Sequence, residues 1–252
     1  MITRNLKKII SRFLDTDNSV SIADTRLIDI FTRDPEFPYL VSFSRTGSHW
    51  LRMVMELYFG KPSLVRAFYF KDATDFTCYH THDMDLDLRR ESVIYLYRNP
   101  VETIYSQLNY YRENLEDESR RQYWVELYAR HLSKWLLHEN FTKKKTVLTY
   151  EAMKSRMSEE IRKICLHFNE EFDPQKLTQV EMQVSKAKLK KKTRHDGQVV
   201  NLSGSYQDDR ETFASRYGEE IVNQLYTIDP GLEACFPELS NRIGMKNAGQ
   251  DY

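Results

Sequence analysis

Two short stretches of the chain combine residues that suit anion binding. In the first, residues 44–48 read Ser-Arg-Thr-Gly-Ser and are followed directly by His49 and Trp50. The hydroxyl groups, the guanidinium and the unpaired backbone N–H groups of a helix that begins there would all suit a phosphate-like group. The loop lacks the second glycine and the lysine of a Walker A sequence. An ordinary strand-to-helix turn is the alternative.

The second stretch begins at Arg98 and repeats this pattern. Asn99 is a favoured N-cap, Pro100 fits the first helical position, and Glu102 completes a capping box. Arg98 would therefore stand at the carboxyl end of a strand, with Ser106 one turn beyond Glu102 on the same helix face. Two anion sites at strand ends suggest a nucleotide that carries two phosphate groups.

The elements that must position these loops are those of an α/β fold. Residues 39–43 form a short β-branched and aromatic run, which is typical of a buried parallel strand, and residues 145–150 form another. Apolar residues at helical spacing recur in three later segments, residues 120–139, 158–168 and 210–226. The alternation predicts one domain, residues 1–252, with a central parallel β-sheet flanked by helices and an N-terminal helical segment at residues 1–37.

Three motifs resemble the sulfotransferases that use 3′-phosphoadenosine 5′-phosphosulfate (PAPS). Residues 42–51 (SFSRTGSHWL) resemble their 5′-phosphosulfate loop, residues 97–106 (YRNPVETIYS) their 3′-phosphate motif, and residues 148–153 (LTYEAM) the strand end whose tyrosine lies near the adenine. The similarity covers residues 38–170, the expected cofactor-binding core. It implies a P-loop-like sulfotransferase fold, PAPS as donor and 3′-phosphoadenosine 5′-phosphate (PAP) as product.

The resemblance also implies roles for individual residues. Arg45 would hold the bridging and leaving oxygens by electrostatic stabilisation, since an arginine does not give up its proton. Ser48 and backbone amides would bind the 5′-phosphate, and Trp50 would stack near the adenine. The cofactor-binding residues predicted in this way are Arg45, Thr46, Gly47, Ser48, His49, Trp50, Arg98, Ser106, Tyr150, Lys192 and Arg194.

The last two of these lie in a basic run that opens residues 186–209. The family has a basic, glycine-containing loop here that closes over the 3′-phosphate, so the resemblance implies that Lys192 or Arg194 contributes to that site. A solvated surface is the alternative, because runs of like charge are usually exposed.

Residues 77–82 alternate like a short strand and leave His80 and His82 on the same side. In the family, a Lys-Thr-His strand end carries the catalytic histidine, which implies that His82 is the general base and that His80 replaces the lysine. Histidine suits the role because its ordinary pKa, near ~6.5, leaves it neutral yet basic at cellular pH. His49 is the competing base. A structural histidine pair, or a metal site completed by aspartates, is the alternative reading.

The acceptor is expected to be a small polar or cationic alcohol or amine. Asp83, Asp85 and Asp87 follow the proposed base directly, and tyrosines are near by in sequence. Residues 64–76 are rich in aromatic side chains that could form a pocket wall, although buried core is the more frequent explanation. The predicted substrate-binding residues are Phe70, Tyr79, His80, Asp83 and Tyr110.

Composition narrows the remaining classes. The 37 basic residues balance the 37 acidic ones, so no overall field favours nucleic acid or an anionic membrane. The three cysteines have no CxxC spacing, which indicates neither a disulfide framework nor a zinc site and favours a cytoplasmic location. No uninterrupted apolar run predicts a signal peptide or a transmembrane segment.

The sequence therefore predicts a PAPS-dependent sulfotransferase that acts on a hydroxyl or amine of a small-molecule acceptor. Sulfuryl transfer depends on in-line positioning and charge stabilisation, and in principle it requires no metal. The alternatives are a carbohydrate or polysaccharide sulfotransferase, a P-loop-related kinase that uses ATP, and a PAPS-binding protein without catalysis. A homodimer is left open.

Overall fold

The centre of the computed structural model is a four-stranded parallel sheet. The strands are β1 (Tyr39–Ser42), β2 (Tyr79–Thr81), β3 (Ser92–Tyr97) and β4 (Lys144–Thr149), in the order β2-β1-β3-β4. The structure describes residues 25–70, 72–138, 140–193 and 206–239. The predicted parallel sheet is confirmed, and the first and last strands fall within one residue of their expected bounds.

Helices cover both faces of this sheet. They are α1 (Thr25–Thr32), α2 (Ser48–Phe59), α3 (Pro100–Tyr111), α4 (Glu118–Leu132), α5 (Tyr150–Ser155), α6 (Met157–Phe168), α7 (Pro174–Gln183), α8 (Lys186–Thr193) and α9 (Tyr206–Ile228). A π-helical turn, Ser133–Leu137, continues α4, and a 3₁₀ helix, Pro230–Cys235, follows α9.

The predictions for the basic run that begins at residue 186 and for the N-terminal segment have different outcomes. The basic run expected as a loop is helical over Lys186–Thr193, where Leu189 packs on the core. Its continuation, residues 194–205, lies outside the described residues. So does most of the expected N-terminal segment, residues 1–24.

The alternation of side chains along the strands divides the core into two layers. Leu40, Ile94 and Leu148 face a cluster that includes residues of α2, α6 and α7. Val41 and Tyr95 point to the opposite face, where they pack with Trp135 of the π-helical turn. Beside them, α3, α4 and α9 share a second large cluster. The sheet is thus buried on both faces, as a parallel sheet requires.

Because all four strands are parallel, their carboxyl ends meet at one edge. The residues that follow them there include Arg45 after β1, His82 after β2, Arg98 after β3 and Tyr150 after β4. Arg98 Nη1 donates a hydrogen bond to the backbone carbonyl of Arg45 at 3.3 Å. The prediction that Arg45 and Arg98 share one crevice is therefore confirmed.

Helix α9 is held against α4 by an ion pair whose arginine is buried. Arg121 donates from Nε and Nη2 to the two carboxylate oxygens of Glu220, at 3.1 and 3.0 Å. Its guanidinium carbon also lies 3.9 Å from the centroid of the Tyr217 ring. This docking brings the first turns of α9, and with them Arg210, to the edge of the sheet where the strand ends meet.

Candidate active site

The loop between β1 and α2 is folded tightly by two residues with positive φ. Arg45 has φ 68° and Gly47, at the N-cap of α2, has φ 97°. The Thr46 hydroxyl donates to the carbonyl of Phe43 at 2.7 Å and fixes the turn. Ser48 then begins α2, and the first N–H groups of a helix have no partner within it. The loop therefore forms a backbone cradle for an anion.

Tyr150 closes this cradle from the side of β4. A Cβ atom added at Gly47 would lie 2.4 Å from Tyr150 Cδ2, so only glycine allows the loop backbone to lie this close to the Tyr150 ring. The Tyr150 ring also lies 5.7 Å from the Trp50 ring, edge to face, and 4.4 Å from the guanidinium carbon of Arg98. The structure thus brings together four of the residues predicted to bind the cofactor.

Arg98 shares a carboxylate with a second arginine. Its Nε donates to Glu102 Oε2 at 3.2 Å, its Nη2 contacts the same oxygen, and Arg210 Nη1 reaches that oxygen at 3.0 Å. Arg45 Nε donates to the hydroxyl of Ser106, one turn further along α3, at 3.3 Å. Two guanidiniums around one carboxylate leave a positive charge at this end of the crevice, which suits a phosphate.

Arg210 is a candidate that the sequence did not reveal, because it lies 108 residues from Glu102. The basic run attracted the prediction instead. Its Lys192 Nζ lies 4.6 Å from the centroid of the Tyr69 ring, and its charge acts on Glu56. Arg194 lies outside the described residues.

His82 is held in one tautomer by the backbone of β1. Its Nδ1 donates to the carbonyl of Ser42 at 2.7 Å, which leaves the lone pair on Nε2 of the neutral ring. Burial lowers the pKa of His82 below its usual 6.5, against the opposing effect of this hydrogen bond, so the ring is neutral near pH 7. His80 shares its side, since the two rings lie 4.8 Å apart and His80 Nε2 contacts the Ser42 hydroxyl at 3.1 Å.

A buried hydrogen-bonded chain supports the backbone at His82. His131 Nε2 donates to the carbonyl of His82 at 3.0 Å, and the Tyr95 hydroxyl lies 3.0 Å from His131 Nδ1. Burial lowers the pKa of His131 to about 3, so its ring stays neutral and can accept from the tyrosine. The position of the proposed base is thereby tied to β3 and α4.

The prediction that Asp83 faces the acceptor is wrong. Its side chain is 1% exposed, and its Oδ2 accepts from Lys134 Nζ at 2.7 Å and from the Trp135 indole at 3.0 Å. Its other oxygen accepts the backbone N–H of Leu88 at 3.0 Å. Asp83 is a structural anchor for the turn after His82, because its carboxylate is fully engaged by the protein.

The other residues predicted to bind the acceptor lie in different parts of the structure. Tyr79 alternates with His80 along β2, so it points to the opposite face and packs on Tyr39 with the ring centroids 5.0 Å apart. Its predicted contact with the acceptor is therefore not supported, because His80 and His82 lie on the other face. Tyr110 lies at the crevice, with its ring centroid 4.7 Å from the guanidinium carbon of Arg45. Phe70 is partly buried and donates its backbone N–H to Glu56 at 2.7 Å.

His49, the competing base, is engaged elsewhere. Its Nε2 lies 2.9 Å from Arg66 Nη1, which can only donate, so this nitrogen is an acceptor. Burial and the neighbouring charges of Arg52 and Arg66 lower the pKa of His49 to about 2. A nitrogen that already accepts from arginine is a poor base for an acceptor proton.

Within the described residues, no three His, Cys, Asp or Glu side chains come together in the manner of metal ligands. In the same part of the chain, no helix has both the length and the apolar character needed to cross a membrane.

Comparison with known protein families shows which family this chain belongs to. The family described as "Sulfotransferase domain" matches residues 79–216, more than half of the chain. The chain belongs to the sulfotransferase family. The match includes the histidine pair of β2, the Arg98 motif and Arg210 of α9. No curated protein sequence matches the chain.

A solved structure shows that the sulfotransferase fold extends over most of the chain. A mouse sulfotransferase, SULT7A1 complexed with PAP, is 17% identical over 88% of this chain and 95% of its own, with a TM-score of 0.55. A retinol dehydratase in complex with androsterone and the inactive cofactor PAP is 11% identical over 79% of this chain and 83% of its own, with a TM-score of 0.47. The likeness to the mouse enzyme confirms the predicted fold.

Proposed function

We propose that this sulfotransferase moves the sulfuryl group of PAPS to a hydroxyl or amine of a small-molecule acceptor, with PAP as the second product and His82 as general base. The observation that carries the proposal is the hydrogen bond from His82 Nδ1 to the Ser42 carbonyl, at 2.7 Å. This hydrogen bond leaves the lone pair of a neutral imidazole on Nε2, where it can accept a proton. The histidine lies at the same sheet edge as the anion loop.

The charges at this edge fit a donor with phosphates at both ends. The cradle of residues 45–48 suits the 5′-phosphosulfate, and the arginine pair of Arg98 and Arg210, with Ser106 near by, suits the 3′-phosphate. The structure of the mouse relative was determined with PAP. When bound, PAPS would supply an activated sulfuryl group. The side chains would position it and stabilise the charge that develops.

Each residue would then have one physical task. His82 takes the acceptor proton as the acceptor oxygen or nitrogen attacks. Arg45 remains a cation beside the crevice and stabilises the negative charge that develops on the leaving oxygens. Tyr150 and Trp50, in edge-to-face contact, form an aromatic surface for the adenine.

Labelled transfer tests this proposal. Purified protein with ³⁵S-labelled PAPS is expected to sulfate members of a panel of small phenols, alcohols and amines. If the label appears only on heparin-like chains, the acceptor is a polysaccharide and the proposed small-molecule acceptor is wrong. If the protein binds PAP but transfers no label to any compound, the result would favour a PAPS-binding protein without catalysis.

Replacing Arg98 by methionine is expected to weaken PAP binding by roughly 30- to 1000-fold, since charge-assisted hydrogen bonds worth about 2–4 kcal/mol are lost. The affinity for adenosine 5′-monophosphate (AMP), which lacks the 3′-phosphate, should change less than about threefold. Glu102 keeps Arg210 as a partner, so the variant does not leave a bare carboxylate. Titration calorimetry with both nucleotides measures the two affinities.

The matched control is Arg130→Met, which removes an exposed arginine paired with Glu126 on α4. It should bind PAP as the wild type does. Equal losses of PAP and AMP affinity in Arg98→Met would contradict a 3′-phosphate contact.

Replacing Gly47 by alanine is expected to weaken PAP binding about tenfold or more. The added Cβ would meet Tyr150 Cδ2 at 2.4 Å, and the positive φ of 97° is strained for any residue with a Cβ, by about 1–3 kcal/mol. The control is Gly218→Ala on α9, where the nearest atom lies at 3.8 Å and helix propensity favours alanine. Unchanged PAP affinity in Gly47→Ala would show that the cradle does not need this turn.

A further inference from the structure

A second group of basic side chains lies near the histidines. It consists of Arg52 of α2 and Arg66 of the segment that follows this helix. Arg52 is only 3% exposed, and its Nε has no hydrogen-bond partner. Its guanidinium carbon lies 5.4 Å from the centroid of the Phe68 ring. The same ring lies 6.1 Å from His49, whose Nε2 is held by Arg66. Arg52 and His49 therefore flank one aromatic ring, and Arg66 is bound to that histidine.

No carboxylate of the described residues forms an ion pair with Arg52. Glu56 is the acidic residue one turn further along α2, but its two oxygens accept the backbone N–H groups of Phe68, Tyr69 and Phe70, at 2.8, 2.6 and 2.7 Å. A buried guanidinium whose Nε lacks a partner is costly, and proteins normally offset such a charge with an anion. Among the described residues, no carboxylate fills that place beside Arg52.

This group lies close enough to the histidines for the charge of Arg52 to act on them. The charge of Arg52 acts on His49, His80 and His82 and, after burial, contributes to the low pKa of each. By contrast, Arg98 interacts with Glu102, Tyr150 and Tyr206, toward the cofactor end. The neutral histidines supply no countercharge of their own, so they do not offset the positive charge of Arg52 that acts on His82.

We propose that the acceptor carries an oxyanion group, such as a carboxylate, and that Arg52 and Arg66 bind it while His82 takes the proton from the group to be sulfated. This inference rests on the function proposed above and names its substrate class. It reverses the expectation of a cationic acceptor, which depended on Asp83, Asp85 and Asp87, because the first of these carboxylates is buried against Lys134 and Trp135.

Matched pairs of acceptors test the inference. Hydroxy acids and their primary amides, from 3-(4-hydroxyphenyl)propanoate and its amide to aliphatic pairs, differ in charge but hardly in shape. The wild type with labelled PAPS is expected to show at least a tenfold higher kcat/KM for the acid in the preferred pair. In the presence of PAP, the acid should also bind at least tenfold more tightly than the amide, which can be measured without turnover.

The variants separate charge from shape. Arg52→Met and Arg66→Met are each expected to reduce the acid-to-amide ratio toward one, and Arg52→Lys should retain more of it than Arg52→Met. The control is Arg89→Met, an exposed arginine beside Phe141, which should keep the wild-type ratio. The thermal shift produced by PAP reports whether each variant is folded, and Arg66→Met, at a half-buried position, provides a second test if Arg52→Met is unstable.

The outcomes distinguish this inference from the proposed function. Sulfation of the amides with no preference for the acid in any pair, or an unchanged ratio in both methionine variants, would overturn the anionic acceptor and leave sulfuryl transfer intact. No sulfated product from any acceptor, together with no preferential binding of an acid, would overturn both.

Discussion

Replacing His82 by alanine is expected to lower kcat by about 10²- to 10⁴-fold while the Kd for PAP stays within about twofold of wild type. In the proposed mechanism the imidazole takes the proton of the attacking group, and its Nδ1 is already committed to the Ser42 carbonyl. None of its described contacts is to Arg45, Arg98 or Arg210, so cofactor binding should not depend on it. Steady-state kinetics with labelled PAPS and calorimetry with PAP measure the two quantities.

The other histidines serve as controls. His138 is exposed, and His138→Ala should keep wild-type turnover. His82→Asn keeps a similar volume but cannot accept the proton, so it should be as slow as the alanine variant. Near-normal turnover of His82→Ala, together with loss of turnover in His49→Ala or His80→Ala, would mean that the base is misassigned.

The pH profile gives an independent check on the same residue. Burial lowers the pKa of His82 in the folded protein below its usual 6.5. The neutral form needed for catalysis therefore persists on acidification until the pH falls through that lowered pKa, and kcat/KM should decline only below pH 6.5. In His82→Asn, this acidic limb should disappear from the residual activity. A limb with a midpoint above pH 6.5 in the wild type would point to another group.

Replacing Lys134 by methionine is expected to reduce the free energy of unfolding by about 3–5 kcal/mol. Lys134 Nζ lies 2.7 Å from Asp83 Oδ2, and the two side chains are 5% and 1% exposed. Methionine keeps the length of the side chain but leaves a buried carboxylate without its cation. Because Asp83 is the neighbour of His82, the loss should also loosen the proposed base. Urea unfolding followed by circular dichroism measures the change.

Two further variants make the result specific. Lys143→Met removes the ion pair with Glu91, in which the lysine is 79% exposed, and should leave the free energy of unfolding almost unchanged. Adding Asp83→Asn to Lys134→Met removes the orphaned charge and should recover part of the lost stability. A Lys134→Met variant within about 1 kcal/mol of wild type would show that Asp83 does not depend on this partner.

Local sequence was sufficient to predict the loops because each depends on neighbouring residues. The positive φ at Gly47 and the cap at Asn99 are properties of a few consecutive residues, and the Asn99 side chain does accept the N–H of Glu102, at 3.2 Å. Parallel strands then bring the carboxyl ends together by geometry alone. This is why the shared crevice of Arg45 and Arg98 could be expected.

Contacts between distant segments could not be predicted in this way. Asp83 appeared to be part of an exposed acidic run, because its partner Lys134 lies 51 residues further along the chain. Arg210 reaches Glu102 only because α9 docks on α4 through Arg121. The sequence around Arg52 does not show that this side chain is buried, and its burial with Nε left without a hydrogen-bond partner is a property of the packed fold.

Nucleotide titration of the wild-type protein tests the central claim most directly. Recognition of a 3′-phosphate by Arg98 and Arg210 predicts that PAP binds at least about 30-fold more tightly than AMP or ADP, since only PAP carries that group. Equal affinity for PAP and AMP would contradict the 3′-phosphate site, and a preference for ADP over PAP would contradict PAPS as the donor.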